Sequence, residues 1–220
     1  MPTALITGAN RGIGLEICRL LKGRAYDLIG VCRKSSPELE ALGVQVLDGV
    51  DLRDESSIES LGERVAGQSI DLLVNNAGIL VRHGLDNLTT EELRAQFEVN
   101  AMAPLLVTKA LLPNLASGSK IALVTSRMGS IADNTSGGAY GYRMSKAALN
   151  AAGMSLAVDL KPRGIAVVIL HPGWVKTGMT HGTGNVGPAE SARGLLQRID
   201  ELSLATTGSF LHAEGRQLPW

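Results

Sequence analysis

The sequence has little with which to staple itself together or to charge its surface. Only two of its 220 residues are cysteine, Cys18 and Cys32. Both fall in segments that read as a buried helix face and a buried strand, so no disulfide framework is expected, and reduced thiols point to a cytoplasmic protein. Charge of one sign is also missing. Lys and Arg number 21 and Asp and Glu 21, which leaves no overall field to hold nucleic acid or an acidic membrane, and neither partner is expected. No run reaches the roughly 18 apolar residues that span a bilayer. The opening MPTALITGAN lacks the basic and apolar regions of a secretion signal. Internal repeats, low-complexity linkers and metal-ligand clusters are absent too, so no metal site is expected.

What is present is an apolar content of 45%, enough for one sizeable core and one domain over residues 1–220. Short β-rich runs recur at 3–7, 27–32, 44–47, 70–75, 120–125, 165–170 and 208–212. Between them, 14–22, 56–65, 91–115, 145–160 and 188–202 carry apolar residues at helical spacing. Strands alternating with helices predict an α/β domain, a doubly wound parallel seven-stranded sheet of Rossmann type with helices on both faces. Near-continuous runs such as IAVVIL fit strands buried on both faces. Asp54, Thr89 or Thr90, and Pro188 mark helix starts. Residues 176–187 are Gly-rich and patternless and read as a short, mobile substrate lid.

The first run ends in Thr7-Gly8-Ala9-Asn10-Arg11-Gly12-Ile13-Gly14 and leads straight into a helix. A glycine-rich turn at a helix N-terminus offers free N–H groups and a positive dipole end to a pyrophosphate. Gly8 permits the tight turn, Gly12 a close approach of the phosphates, and Gly14 close packing of helix on strand. The second run ends in Cys32-Arg33-Lys34. An acid at the cysteine position would hold a ribose 2′-hydroxyl and repel a 2′-phosphate. Cys32 replaces that acid and Arg33 and Lys34 follow, with Arg11 in reach, so NADP(H) is expected over NAD(H).

Further along, Tyr142-Arg143-Met144-Ser145-Lys146 sets a phenol and an amine four residues apart on one helix face. A free tyrosine, with a pKa of about 10, is a poor acid or base near neutrality. An ammonium fixed beside it, together with the positive charge of an oxidised nicotinamide, is expected to lower that value.

These motifs together resemble the short-chain dehydrogenase/reductase family, the branch with a TGxxxGxG loop and a YxxxK site. The likeness spans nearly the whole chain: TGANRGIG at 7–14, Asp51-Leu52, Asn75-Asn76-Ala77-Gly78, Asn100, Ser126, Tyr142 with Lys146, and Pro172-Gly173. The resemblance implies that Tyr142 exchanges the proton and Ser126 hydrogen-bonds the substrate oxygen. It implies that Lys146 holds the nicotinamide ribose while tuning Tyr142, and that Asn100 holds a water that relays protons. Gly8, Asn10, Arg11, Gly12, Ile13 and Gly14 would cradle the cofactor phosphates. Asp51 and Leu52 would meet the adenine, Asn76, Ala77 and Gly78 would line the cofactor and brace the sheet, and Pro172, Gly173, Val175 and Thr177 would fix the nicotinamide. Asp51 as a helix-start residue and Asn100 as a polar residue kinking a buried helix remain open alternatives.

Two departures stand out. Ser126 and Tyr142 are 16 residues apart, a few more than is usual in the family, and the lid is short. The segment RMGSIADNTSGGAYGYRMSK and the ending near Trp220 resemble the shorter C-factor-like and sniffer-like carbonyl reductase members. The function implied is hydride transfer between nicotinamide and a small carbonyl or alcohol substrate, with a nucleotide-binding sensor or signalling protein as the alternative. The helices around 101–115 and 147–160 would pair in a homodimer or homotetramer, as in the family. Arg82, His83 and His181 could contact a polar substrate or face solvent, the second reading being preferred; Thr125 and Ser130 read as bystanders, and Tyr140 as a decoy for Tyr142.

Overall fold

Strands rich in Val, Ile and Leu on both sides hold together only where both faces are covered, and the chain covers both. A computed structural model describes all 220 residues. The strands are β1 (Thr3–Thr7), β2 (Asp27–Val31), β3 (Gln45–Leu47), β4 (Leu72–Asn75), β5 (Lys120–Val124), β6 (Ala166–His171) and β7 (Phe210–His212). They form one sheet in the order β3-β2-β1-β4-β5-β6-β7, and all neighbours are parallel. The helices are α1 (Gly12–Lys22), α2 (Pro37–Glu40), α3 (Glu55–Arg64), α4 (Thr90–Phe97), α5 (Ala103–Ala110), α6 (Tyr140–Leu160) and α7 (Pro188–Glu201).

Strand β6 shows the division of labour. Val167 and Ile169 enter one apolar cluster, with residues of α3, α5 and α6, while Ala166, Val168 and Leu170 enter another, with residues of α1 and α7. The clusters hold 24 and 23 buried residues, so the two layers carry equal shares of the core. Full burial of one Leu or Ile is worth about 1.5–3 kcal/mol; a polar residue at any position from Val167 to Leu170 would therefore be costly.

From β1 the chain winds outward through β2 and β3, then crosses back to β4 on the other side of β1. The loops leaving β1 and β4 part at this reversal, and a crevice opens at the carboxyl ends of the strands. Asp54 caps α3 by accepting the Ser56 N–H at 3.0 Å, and Thr89 caps α4 by accepting the Glu92 N–H at 3.3 Å.

Four sequence expectations need correction. Residues 91–115 are not one helix: α4 passes through a π-turn at Glu98–Met102 into α5. Pro104 explains it, because it has no N–H for the Asn100 carbonyl and its ring would crowd that oxygen. Helix α6 begins at Tyr140, not near 145, and the left-handed Ala139 (φ 48°) marks the turn into it. The four-residue α2, capped by Ser36 at 3.2 Å from the Leu39 N–H, is too short to show periodicity. The 176–187 segment is not without structure. It makes a 3₁₀ turn at Gly178–Thr180, and its base is closed by Lys176 N–H to the Val186 carbonyl at 2.9 Å. The Thr180 hydroxyl donates to the Val175 carbonyl at 2.7 Å, the kind of local bond through which threonine shapes loops.

Candidate active site

A cleft of about 670 Å³ runs along the carboxyl ends of the strands. At one end Gly8, at φ 66°, turns the chain out of β1, and α1 starts at Gly12 with no side-chain cap. Its first amides therefore have no protein acceptor and face the cleft beside Asn10, Arg11 and Ile13. Gly14 lies beneath the wall. A Cβ there would stand 2.3 Å from the Gly8 oxygen and 2.6 Å from Asn76 Nδ2. Asn76 clamps this turn, donating to the carbonyls of Thr7 at 3.0 Å and Gly8 at 3.3 Å. Asn10 spends its amide on the Lys34 carbonyl at 3.0 Å, tying the loop to the end of β2.

Arg11, Arg33 and Lys34 line this end, and none takes part in the molecule's ion pairs. Burial pushes the neighbouring Cys32 thiol up, and Asp48 adds to the effect, so the thiol stays neutral near pH 7. An uncapped helix and three cations that take part in no ion pair fit a phosphorylated dinucleotide. Asp51 and Leu52 form the flank. Asp51 Oδ1 accepts the Arg53 N–H at 3.0 Å, and the helix cap is Asp54, not Asp51.

At the other end, Tyr142 and Lys146 are 8% and 4% exposed, with the Lys146 ammonium 5.9 Å from the Tyr142 ring centre. Lys146 Nζ donates to the Val124 carbonyl at 2.9 Å, which leaves donors free for a polyhydroxyl ligand. Ser126, two residues past the end of β5, caps the next turn, accepting the Met128 N–H at 3.1 Å. Asn100 sits in the π-turn, completely buried, and its amide binds both Ile79 backbone groups and Ser145. Gly78 leaves space for these groups: a Cβ there would be 3.1 Å from Asn100 Oδ1 and 3.7 Å from Lys146 Nζ. Of the two open alternatives, that for Asn100 is met, since it sits at a helix distortion, and that for Asp51 is not, since Asp54 starts α3.

The electrostatics of this end are set first by burial. Burial pushes the Tyr142 phenol above its usual value, while hydrogen bonding by Ser126 and the Arg82 charge pull it back. Burial also takes the Lys146 ammonium down, to about 7. Desolvation is the largest cause at both groups.

Pro172 lines the cleft, held by the Ser191 hydroxyl at 2.7 Å from its carbonyl. Gly173 (φ 87°) and Val175 lie behind it. The Thr177 methyl would be 3.5 Å from a Cβ on Gly12, so the lid reaches across to the phosphate end. Thr125 spends its hydroxyl on Asn150 Oδ1 at 2.7 Å, and Ser130 accepts the Asp133 N–H at 3.0 Å. His171 is buried edge-on to His212 at 5.0 Å. The sequence reading missed Ile79, Val99 and Met179 in the wall. Ile79 could have been found as the residue after the Asn-Asn-Ala-Gly turn, and Met179 as the first apolar residue of the lid.

A family model described as short chain dehydrogenase matches residues 2–185. A 1-hydroxy-2-glutathionyl-2-methyl-3-butene dehydrogenase of Rhodococcus sp. (strain AD45) is 38% identical over 226 residues, covering 100% of both chains. C-signal of Myxococcus xanthus is 46% identical over 154 residues, 69% of this chain and 93% of that one. Among solved structures, the NADPH-bound carbonyl reductase from chicken fatty liver is 33% identical with a TM-score of 0.90, covering 100% of this chain and 99% of its own. The carbonyl reductase Sniffer of D. melanogaster is 33% identical with a TM-score of 0.92 and complete coverage of both chains.

Proposed function

Because the chain belongs to the short-chain dehydrogenase family, we propose that it is an NADP(H)-dependent oxidoreductase that reduces an aldehyde or ketone to the alcohol. The observation that carries this reading is one cleft with two suitable ends. One end is an uncapped helix flanked by Arg11, Arg33 and Lys34, and the other a buried Tyr142–Lys146 pair beside Ser126. The NADPH-bound carbonyl reductase supports both the cofactor and the reductive direction.

A bound NADPH supplies the hydride. Tyr142 donates its phenolic proton to the carbonyl oxygen, and the Ser126 hydroxyl hydrogen-bonds the same oxygen, stabilising charge as it develops. The raised phenol of Tyr142 suits an acid that must hold its proton until the oxygen turns basic. Lys146 would hold the ribose hydroxyls, and Asn100 would keep the path to Lys146 open through its grip on Ile79. The protein acts in the cytoplasm as a homodimer or homotetramer. Met102, Leu105, Met154 and Val158, all more than 40% exposed on α5, α6 and the π-turn, are the apolar residues such an assembly would cover. No helix is long and apolar enough to cross a membrane.

Titration with NADPH and NADH, followed by loss of NADPH absorbance with a panel of aldehydes, ketones and quinones, tests the reading. NADPH is expected to bind more tightly. Tyr142→Phe is expected to cut turnover by about 10²–10⁴, the usual contribution of a positioned general acid, with NADPH affinity nearly unchanged. Binding without turnover, and a biological role that survives Tyr142→Phe, would establish the sensor alternative in its place. Failure to bind either nucleotide would overturn both.

A further inference from the structure

Glu92, Gln96 and Asn100 stand four residues apart along α4 and the π-turn that continues it, and so share one side of the helix. Each meets a different residue of the segment that leaves β4. Asn100 brackets Ile79, accepting its N–H at 2.8 Å and donating to its carbonyl at 2.9 Å. Gln96 Oε1 accepts the Val81 N–H at 2.9 Å. Glu92 Oε2 lies 2.9 Å from His83 Nε2. As the chain runs from 79 to 83 its partners step back from 100 to 92, so the segment lies antiparallel to the helix as a ladder of three rungs.

Each rung also reaches the start of α6, which carries Tyr142. At the Ile79 rung, Asn100 Nδ2 donates to Ser145 Oγ at 3.0 Å, and that hydroxyl donates to the Tyr142 carbonyl at 2.9 Å. At the His83 rung, the His83 carbonyl accepts the Ala139 N–H at 3.0 Å. Between them stands Gln96, 1% exposed. Its Nε2 donates to the Glu92 carbonyl at 3.3 Å. A Cβ built on Gly141 would be 2.5 Å from that nitrogen and 3.0 Å from Leu93 Cδ2. The bare backbone of Gly141, the residue before Tyr142, thus lets the Gln96 amide rest directly on α6. The amide is bonded at both its oxygen and its nitrogen, so it yields to neither side without leaving a buried polar group unpaired.

We infer that Gln96 is a positioning residue for the reaction, its side-chain amide being the spacer that sets the Tyr142 turn of α6 against the segment 79–83. The inference rests on the reductase reading. Gln96 does not line the cleft, whereas Tyr142 and Ile79 both do, so Gln96 acts through them. Small shifts matter here, because misplacing a reacting group by about 1 Å can cost roughly a hundredfold in rate.

Two substitutions approach the spacer from its two sides. Gln96→Met keeps the length of the side chain and removes both bonds; Gly141→Ala keeps the amide and pushes a methyl against it. Each alone is expected to lower kcat/KM by about tenfold for an aldehyde that the wild type reduces, part of the loss that misplacement can bring. KM should rise and kcat fall together, because Tyr142 both holds the carbonyl oxygen and delivers the proton. NADPH affinity, read by fluorescence titration, should stay near that of the wild type. The double variant separates this role from general packing. Once Gln96→Met has freed the side chain to yield, adding Gly141→Ala should cost little more, a coupling of about tenfold in kcat/KM. A role in stability alone would lower thermal melts and leave KM and kcat of the folded protein at wild-type values, and that result overturns the inference. Effects that simply multiply in the double variant overturn it too, as does a loss of NADPH affinity that parallels the loss of kcat/KM. A wild type that reduces no aldehyde overturns the reductase reading itself, and this inference with it.

Discussion

At the phosphate end of the cleft, position is set by what the side chains leave out; at the carbonyl end, by what they put in. Gly8, Gly12 and Gly14 let strand, helix and Asn76 close on one another with nothing between them. The five-pair register of β1 against β2 carries the turn. Around Tyr142 the backbone has no ladder of its own. Residues 79–83 follow no strand and are held by the amides of Gln96 and Asn100, which supply the hydrogen bonds a neighbouring strand would have given. Backbone geometry is rigid and unspecific, which suits a cofactor; side-chain rungs can change one at a time, which suits a substrate.

Adding an atom should harm the first end and removing one should harm the second. The larger effect is expected from Gly14→Ala, because the added methyl lands on a backbone oxygen with no rotamer to escape into. Overpacking costs about 1–3 kcal/mol, and this site should fall at the upper end. Thermal melts should drop, and NADPH affinity should fall with stability because the helix start moves. Gln96→Leu removes a rung and leaves the Val81 N–H without a partner, a cost of about 1–3 kcal/mol where the group stays buried and less where water reaches it. Here NADPH affinity should hold while KM for the carbonyl compound rises. If Gln96→Leu instead weakens NADPH and spares KM, the two ends are not held separately.

The same division decided what could be read from the sequence. The seven strands and the glycine turn were legible because parallel strands write themselves as apolar runs and a phosphate cradle needs glycine at fixed steps. Asp54 and Thr89 announced their helices through a chemistry that acts over two or three residues. The ladder was not legible. Gln96 is a polar residue inside an amphipathic pattern, and nothing in the spacing of 92, 96 and 100 says that a loop lies against them. Arg82 and His83 were read as solvent-facing for the same reason, yet the His83 side chain is only 13% exposed. The π-turn was missed although Pro104 marks it, because the periodicity of 91–115 continues on either side. The upward push of burial on the Tyr142 phenol was not legible either, because desolvation does not show in a four-residue spacing.

Lys146 belongs to the carbonyl end, and its titration should give the smallest of these effects. Its ammonium is held at about 7 in the folded protein against 10.5 when free. Between those values the unfolded chain keeps a proton that the native one has lost, so stability rises with pH across that window, by at most about 1.4 kcal/mol per pH unit for one proton. Above about 9 the buried Cys18 thiol, raised to about 12, acts in the opposite sense. Denaturant unfolding between about pH 7 and 8.5 isolates the lysine. The nucleotide-free wild type should become more stable over that range, and Lys146→Met, which buries no charge, should show a flat profile. Equal slopes in the two proteins would mean that the ammonium is solvated through the cleft, and the carbonyl end would then be as open to water as the phosphate end.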